Sequence, residues 1–338
     1  MVTIKDVASR SGFSITTVSK ALNNYSDISD KTKARILALC DEMGYVPNLS
    51  ARSLVSKKSY TIGIIFEEVT GIGLQHPLFS KILESFKSRV EQKGYDIMFL
   101  SKSIGNEKGS YLEHSKRKQV EAILVLCSDF DSKEMQDLYK STLPTIVIDF
   151  NMANVCNITS NNLQGVRQAV KYFKNLGHTK IGTIHGGLFL EIGRVRHDHF
   201  MNALVENNLE INEKFIQNGN FFSKEDGYQA MQEIMKHDEQ PTALFCASDM
   251  LAIGAMQAIN EAGKSVPEDY SLIGFDGIDL GQLISPRLTT IKQDTYKMGK
   301  TAANIILQMI DDKNHKRTNE TVKVDTILIT GESTRVLR

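Results

Sequence analysis

The 338 residues contain no tryptophan, and only six prolines and four cysteines. Cys40, Cys127, Cys156 and Cys246 lie far apart with no paired spacing. That excludes a disulfide framework or a zinc ribbon and suits a reduced, cytoplasmic protein. No apolar run approaches the roughly 18 residues that a membrane span requires. The N-terminal stretch Met1-Val-Thr-Ile-Lys5 is polar and has no apolar signal core, which argues against export. Low-complexity tracts and repeats of roughly 20–50 residues are also missing. So are the catalytic signatures G-x-x-x-x-G-K-[ST], H-E-x-x-H and G-x-S-x-G. Gly71-Ile-Gly73 opens a dinucleotide-like fingerprint, but His76 stands where its third glycine belongs. No enzyme, cofactor or metal is therefore expected.

Net charge is also lacking, because 40 basic residues balance 40 acidic ones. The balance is uneven along the chain. Residues 1–60 hold nine Lys or Arg against five Asp or Glu, so a basic head precedes an acidic body. A basic head suits a domain that neutralises phosphates.

Within that head, Thr3 to Leu22 reads as helix, tight turn, helix. Thr3 caps the first helix, with Asp6 completing a variant of the capping box. Val7 and Ala8 face inward. Gly12 tolerates the positive φ of the turn, and Ser14 caps the second helix. Val18 and Leu22, one turn apart, point back to the core. Ile15, Thr16, Thr17, Ser19 and Lys20 are left on the outer faces. A short helix rich in hydroxyls builds a core poorly and suits a major groove, where Lys20 could donate to guanine O6 and N7. An ordinary surface helix is the alternative. A third helix runs from Ser29 or Asp30 to Met43, with Ile36, Leu37, Leu39 and Cys40 as its stripe and Gly44 as its stop. After Pro47, the segment Asn48-Leu-Ser-Ala-Arg-Ser-Leu54 is too short to hold a helix alone in water. It forms one if a partner buries Leu49, Ala51 or Leu54, and is otherwise a linker.

From Thr61 the pattern alternates between strand and helix, which predicts a parallel, doubly wound sheet. The strands are Ile62–Phe66, Tyr95–Leu100, Glu121–Leu126 and Thr145–Ile148, with a helix over Phe79–Val90. The same grammar restarts after about Asn162. It places helices at Leu163–Leu176, Arg196–Glu206, Lys224–Met235 and Met250–Glu261, and strands at Ile181–His185, Phe215–Gln217, Thr242–Cys246 and Ser271–Phe275. Two such lobes leave a cleft at the carboxyl ends of their strands, where open α/β sheets bind ligands. Polar and aromatic residues at strand ends become the candidates: His76, Phe79, Asn161, Arg196, Phe222, Ser248, Asp249, Asp276 and Gln293. Asp249 and Asp276 could instead cap helices at strand–helix turns.

The runs "TIKDVASRSGFSITTVSKALN", "DEMGYVPNLSARSL", "SYTIGIIFEE", "YFKNLGHTKIGTIHGG", "PTALFCASDMLAIGAMQAINEAGKSVPEDYSLIGFDG", "SPRLTTIKQD" and "GESTR" resemble, in order, the LacI/GalR family of bacterial transcription regulators. The resemblance implies an α/β fold: an all-α helix-turn-helix head on two doubly wound, periplasmic-binding-protein-like lobes. Residues 1–47 would form the head and 48–59 a hinge helix and linker. Residues 60–338 would form the effector-binding and dimerisation core. Its lobe 1 would span about 60–160 and 293–324, and lobe 2 about 161–292 and 325–338. The chain would cross three times between lobes, returning the helix near Thr295–Met309 to the first.

The resemblance places DNA contacts on Thr3, Ser14, Ile15, Thr16, Thr17, Ser19, Lys20 and Asn23. In the hinge it places them on Asn48, Ser50, Ala51 and Leu54, with Leu54 wedging between base pairs in the minor groove. It makes Arg196 the effector-binding arginine, Asp276 the acceptor of ligand hydroxyls and Phe222 an aromatic wall, which suits a sugar or similar polyol. Five positions depart from its pattern: Asn161 for Asp, the pair His197 and His199, Phe221 for a small acidic residue, and Lys20 for Arg. No leucine heptad follows Glu332-Ser-Thr334, so a homodimer is expected in place of a tetramer. The expected protein is a repressor of near-palindromic double-stranded DNA operators controlled by a small molecule. A periplasmic-type sugar-binding protein is the alternative, but it would need a signal peptide and has no use for the head.

Overall fold

In the computed structural model, residues 2–46, 58–67, 73–104, 106–151, 155–312 and 320–337 are described. The chain divides into two compact units, Met1–Ser59 and Tyr60–Arg338.

The first unit holds three helices, α1 (Ile4–Ser11), α2 (Ile15–Leu22) and α3 (Asp30–Met43). Each starts on a side-chain cap. Thr3 and Asp6 form a reciprocal capping box, Ser14 accepts from Thr17 N, and Ser29 accepts from Thr32 N. Gly12 and Gly44 end α1 and α3 with φ of 76° and 62°, which a side chain would resist. Val7, Ala8, Val18, Ala21, Ile36 and Cys40 form the core. Leu37 departs from the expected stripe. It is 46% exposed, because α3 turns Ile36 and Cys40 inward with Leu39 and Met43 packed beside them.

In the second unit, β1 (Thr61–Phe66), α4 (Pro77–Glu91) and β2 (Asp96–Phe99) come first, then a small hairpin of β3 (Ser103–Ile104) and β4 (Glu107–Lys108). Next are α5 (Tyr111–Arg117), β5 (Ala122–Cys127), α6 (Lys133–Lys140), β6 (Thr145–Ile148) and β7 (Cys156–Ser160). After them come α7 (Asn162–Asn175), β8 (Ile181–His185), α8 (Glu191–Glu206), β9 (Ile216–Asn218), α9 (Lys224–Met235) and β10 (Ala243–Cys246). The last elements are α10 (Asp249–Glu261), β11 (Ser271–Asp276), α11 (Asp279–Leu283), β12 (Thr289–Gln293), α12 (Thr295–Asp311), β13 (Thr321–Val324) and β14 (Thr326–Ile329).

The strands make two six-stranded sheets, in the orders β13-β7-β6-β5-β1-β2 and β14-β12-β11-β10-β8-β9. The first sheet is parallel throughout. The second departs from an all-parallel expectation at one edge, where β14 runs antiparallel to β12. The chain passes from one sheet to the other after Ser160, Gln293 and Val324. The second passage returns α12 to the first lobe, where it lies on α4. A side-chain carbon at Gly299 would come within 2.3 Å of Ile82 O, so only glycine allows that approach. Both faces of each sheet are covered. In β1, Ile62 and Ile64 pack to one side with Phe86 and Met298, and Ile65 to the other with Tyr139 and Val147. Burial on both faces is why such strands read as continuous apolar runs.

Candidate functional site

The outer face of the head is built by the cap of α2. Ser14 Oγ accepts from Thr17 N at 3.1 Å and lies 2.9 Å from Thr17 Oγ1. This fixes the turn that leaves Ile15 and Thr16 exposed at the start of the helix. Ser19 and Lys20 are half-buried along it, and Asn23 closes it by donating to Ser19 O at 2.8 Å. Thr3 belongs to the other helix, where its hydroxyl donates to Asp6 at 2.7 Å. Lys20 is ion-paired with Asp27 on the loop after α2. The hinge candidates Asn48, Ser50, Ala51 and Leu54 lie outside the described residues.

In the body, one arginine organises the junction of the lobes. Arg196 sits on the second turn of α8 and is 3% exposed. Its Nε donates to Asn162 Oδ1 at 3.0 Å and its Nη1 to Ala247 O at 2.6 Å. Nη1 also lies 3.4 Å from Asp276 Oδ1, and the guanidinium covers the Phe275 ring at 3.8 Å. Asp276 accepts from Gln293 Nε2 at 2.6 Å, and Gln293 Oε1 accepts from Ser160 Oγ. On the other flank, Asn162 donates to Ser160 O at 3.0 Å, and Thr159 donates to Asp149 at 2.7 Å. The bonds join the ends of β6 and β7 in one lobe to the ends of β11 and β12 in the other.

Electrostatics single out the same residues. Burial raises the Asp276 carboxyl to about 6 against the opposing pull of Arg196. Burial also raises Asp149, again opposed by Arg196. Asp149, Phe222 and Asp276 have φ of 55°, 65° and 113°, conformations that side chains resist. Strain and shifted acidity coincide at functional sites more often than elsewhere.

Arg196, Asp276 and Gln293 thus come together, and Asn161 lies beside them as the cap of α7. Its Oδ1 accepts from Gln164 N at 3.3 Å and its Nδ2 donates to Asp325 at 3.2 Å. A cavity of about 220 Å³ adjoins that crossing, bounded by Asp149, Thr159, Glu191 and His199 among others. Among the candidates only Asn161 lines it. His76 precedes α4, and its ring lies 4.5 Å from that of Phe79, which meets Phe66 edge-on at 5.7 Å. Lys81, on the same helix, reaches across to Asp279 of α11 at 2.7 Å.

Ser248 and Asp249 are built into lobe 2. Ser248 caps α10 and donates to Phe222 O at 3.4 Å. Asp249 is fully buried, accepting from Thr290 Oγ1 at 2.5 Å and from Ile278 N at 2.8 Å. Burial, and then the Asp276 charge, push its carboxyl well above the usual range. His197 turns edge-on to His185, with ring centroids 4.7 Å apart. Among the described residues no group of three or more His, Cys, Asp or Glu could hold a metal, and no helix is long and apolar enough to cross a membrane.

Sequence reasoning missed Asp149, Ser160 and Asn162. Asp149 carried a signal, since it ends an apolar strand as Asp276 does. Ser160 carried none, because its strand is polar, and Asn162 none, because it reads as an ordinary first residue of a helix.

A helix-turn-helix head on a two-lobed body with a polar cluster at the junction of the lobes defines a ligand-controlled DNA-binding regulator. Residues 3–48 match the bacterial regulatory proteins of the lacI family, and residues 170–334 match the periplasmic binding protein-like domain. The HTH-type transcriptional repressor PurR of Haemophilus influenzae (strain PittEE) is 36% identical over 318 residues, covering 93% of each chain. The Lac repressor dimer bound to operator and the anti-inducer ONPF superposes with a TM-score of 0.83 at 27% identity, over 99% of each chain. A LacI family regulator from Enterococcus faecium with bound ribose matches at 0.69 and 26% identity, over 82% of this chain and all of that one. The chain belongs to the LacI family of bacterial transcription regulators. It is a DNA-binding transcriptional regulator under small-molecule control, not an enzyme.

Proposed function

We propose that the protein is a cytoplasmic repressor that acts as a homodimer. Its two heads read the half-sites of a near-palindromic operator, and a sugar or sugar derivative in the cleft sets its operator affinity. The observation that carries this reading is the buried cluster of Arg196, Asp276 and Gln293 in the second lobe, tied across the junction to Ser160 of the first. A carboxylate accepts paired hydroxyls, a guanidinium and an amide donate to ring oxygens, and Phe222 offers a face for C–H groups. Ser248 and Asp249 shape this wall, their side chains being engaged within lobe 2. The ribose held by the Enterococcus faecium relative supports a sugar, and the operator-bound Lac repressor dimer supports the assembly.

On DNA, side chains 15 to 20 enter the major groove. Residues 48 to 54 fold into a hinge helix, and Leu54 opens a base step at a cost of a few kcal/mol, offset by added contact. Ligand and operator are then coupled by about 1–3 kcal/mol.

The test is a thermal-shift screen against mono- and disaccharides, sugar phosphates, nucleosides and purines. A hit is then added to an assay with operators selected from random DNA. Ligand at about 100 times its Kd adds ~2.7 kcal/mol. A sugar that both stabilises the protein and changes operator affinity is expected. A response to purines alone refutes the sugar reading. Leu54→Ala is expected to weaken specific binding strongly and non-specific binding little, and equal losses refute the wedge.

A further inference from the structure

Asn157 and Thr159 of β7 stand side by side with Thr321 and Lys323 of β13, in parallel register. Their neighbours Cys156, Ile158, Val322 and Val324 turn into the lobe 1 core, so these four polar residues face the other side of the sheet. Helix α8 of the second lobe meets that side with one stripe, Glu191, Ile192, Val195 and His199. Between the stripe and the strands lies the cavity of about 220 Å³, which Asp149 also bounds. Drug-sized ligands fill roughly 300–1,000 Å³, so this space suits a molecule of amino-acid size. Arg196 turns aside from the cavity to Asn162, and Phe222, Ser248, Asp276 and Gln293 do not line it. It is therefore distinct from the cluster at Asp276.

The polar groups of this cavity are not spent on one another. Asn157 is only 4% exposed, and its Oδ1 accepts from Phe150 N at 3.3 Å, yet its Nδ2 has no partner among the described residues. A buried amide donor is costly to leave unmade, which points to a missing acceptor. Glu191 gives one oxygen to Asn151 N at 3.2 Å, and Asp149 accepts from Thr159 at 2.7 Å. Burial raises both carboxyls above their ordinary range. Among the described residues neither His199 nor Lys323 makes a hydrogen bond or an ion pair. Glu191 and His199 stand more than two turns apart on α8, about 12 Å along its axis, too far to satisfy each other. Acceptors for a cation and donors for an anion thus line one small space, both left open.

We propose that this cavity is a second ligand site, for a small zwitterionic amino acid. Its ammonium meets Glu191 and Asp149, and its carboxylate meets Lys323, His199 and the Asn157 amide, all by charge-assisted hydrogen bonds. The strands belong to the first lobe and α8 to the second, so a molecule bound here ties the lobes at a point beside the crossings. It is a second effector, and its presence does not depend on what the cluster at Asp276 binds.

The experiment is calorimetric titration of the full chain with glycine, serine, glutamate and γ-aminobutyrate. Acetate, butyrate, methylamine and butylamine serve as probes that lack one of the two charges. At least one amino acid is expected to bind, and about tenfold or more tightly than the single-charge probes. Lys323→Gln is expected to lower that affinity about tenfold, and Lys323→Arg to keep most of it. Lys323 is exposed, so both variants retain the fold, checked by an unchanged Tm. Asp276→Asn is expected to hold the affinity within about twofold, because its site is separate. If no amino acid binds, the cavity holds water and the proposal falls. Equal binding of the single-charge probes overturns it too, as does an unchanged affinity in Lys323→Gln. A loss in Asp276→Asn as large as that in Lys323→Gln would put the amino acid in the cleft and also overturn it.

Discussion

Replacing Asp276 with Asn tests whether the junction cluster is built for stability or for ligand. Burial holds the Asp276 carboxyl at about 6 against an ordinary 3.8, even with Arg196 and Gln293 bound to it. That difference favours the neutral form by about 3 kcal/mol. Between these two pH values the folded chain binds more protons than the unfolded one, so stability falls as pH rises from near 4 through about 6, then levels off. An amide of the same shape escapes that penalty. Its Oδ1 still accepts from Gln293 and Arg196, and Asp149 keeps one carboxylate near the guanidinium. Asp276→Asn is therefore expected to stabilise the body by about 1–3 kcal/mol at pH 7.5, or roughly two to six degrees in Tm. The gain should shrink towards zero near pH 4–5. Asp249, whose carboxyl burial and then the Asp276 charge raise, is relieved in the variant, which adds to the gain at pH 7.5. Scanning calorimetry of both proteins at pH 5.0 and pH 7.5 measures the difference. The same variant should lose ligand affinity by roughly 100-fold, because an amide accepts one hydroxyl where the carboxylate accepts two. A variant equally destabilised at both pH values would mean that the Arg196 pair is a net stabilising contact, and the reasoning would fail.

Three other perturbations probe separate links. Asp27→Asn frees Lys20 from an exposed ion pair, so stability should hardly change while operator affinity rises severalfold in fluorescence anisotropy. Unchanged affinity would remove Lys20 from the DNA face. Gly254→Ala would push a methyl group to 1.9 Å from Lys224 O and 2.7 Å from Tyr228 N, both backbone atoms. The α9–α10 contact must then separate, and urea denaturation should report a loss of about 1–3 kcal/mol or more. Val18→Ala removes two methyl groups from the small core of the head and should cost it about 2 kcal/mol, seen as faster hydrogen exchange in α1–α3 with ligand binding by the body unchanged. Exchange that stays as slow as in the native head would refute a marginal core.

Strands buried on both faces announced themselves by apolar composition. β1, β5, β6, β8, β10 and β11 fell within a residue or two of their expected bounds. β7, β12, β13 and β14 did not, because Cys-Asn-Ile-Thr-Ser160 and Thr-Thr-Ile-Lys-Gln293 read as loops until a neighbouring strand pairs with them. Asn157 shows how such a strand survives burial, its Oδ1 accepting from Phe150 N at 3.3 Å. Helix α8 begins at Glu191, five residues ahead of the expected start, because Leu190 caps it without a side-chain bond and so leaves no signal in the sequence. The same lack of local signal hid Asn162, whose importance lies in what Arg196 does after folding. Asp249 illustrates the converse. As an acid at a strand–helix turn it looked like Asp276, and only its full burial among partners of lobe 2 sets it apart.

The junction cluster also accounts for how one site could both sense and transmit. Asp149 and Thr159 come from the first lobe, and Arg196 and Asp276 from the second. Ser160, Asn162 and Gln293 flank two of the three crossings between the lobes. Gln293, one of the groups a polyol would use, also holds the lobes together through Ser160. A ligand hydroxyl at Asp276 competes directly with Gln293 and Arg196 inside the second lobe, and freeing Gln293 disturbs its bond to Ser160 of the first. A ligand can shift an arrangement only by its differential affinity for the two states. Exchanging one or two charge-assisted hydrogen bonds supplies about 1.5–3 kcal/mol each in a buried site, which is the size of an ordinary allosteric coupling. By linkage, whatever factor the ligand changes operator affinity by, the operator changes ligand affinity by the same factor.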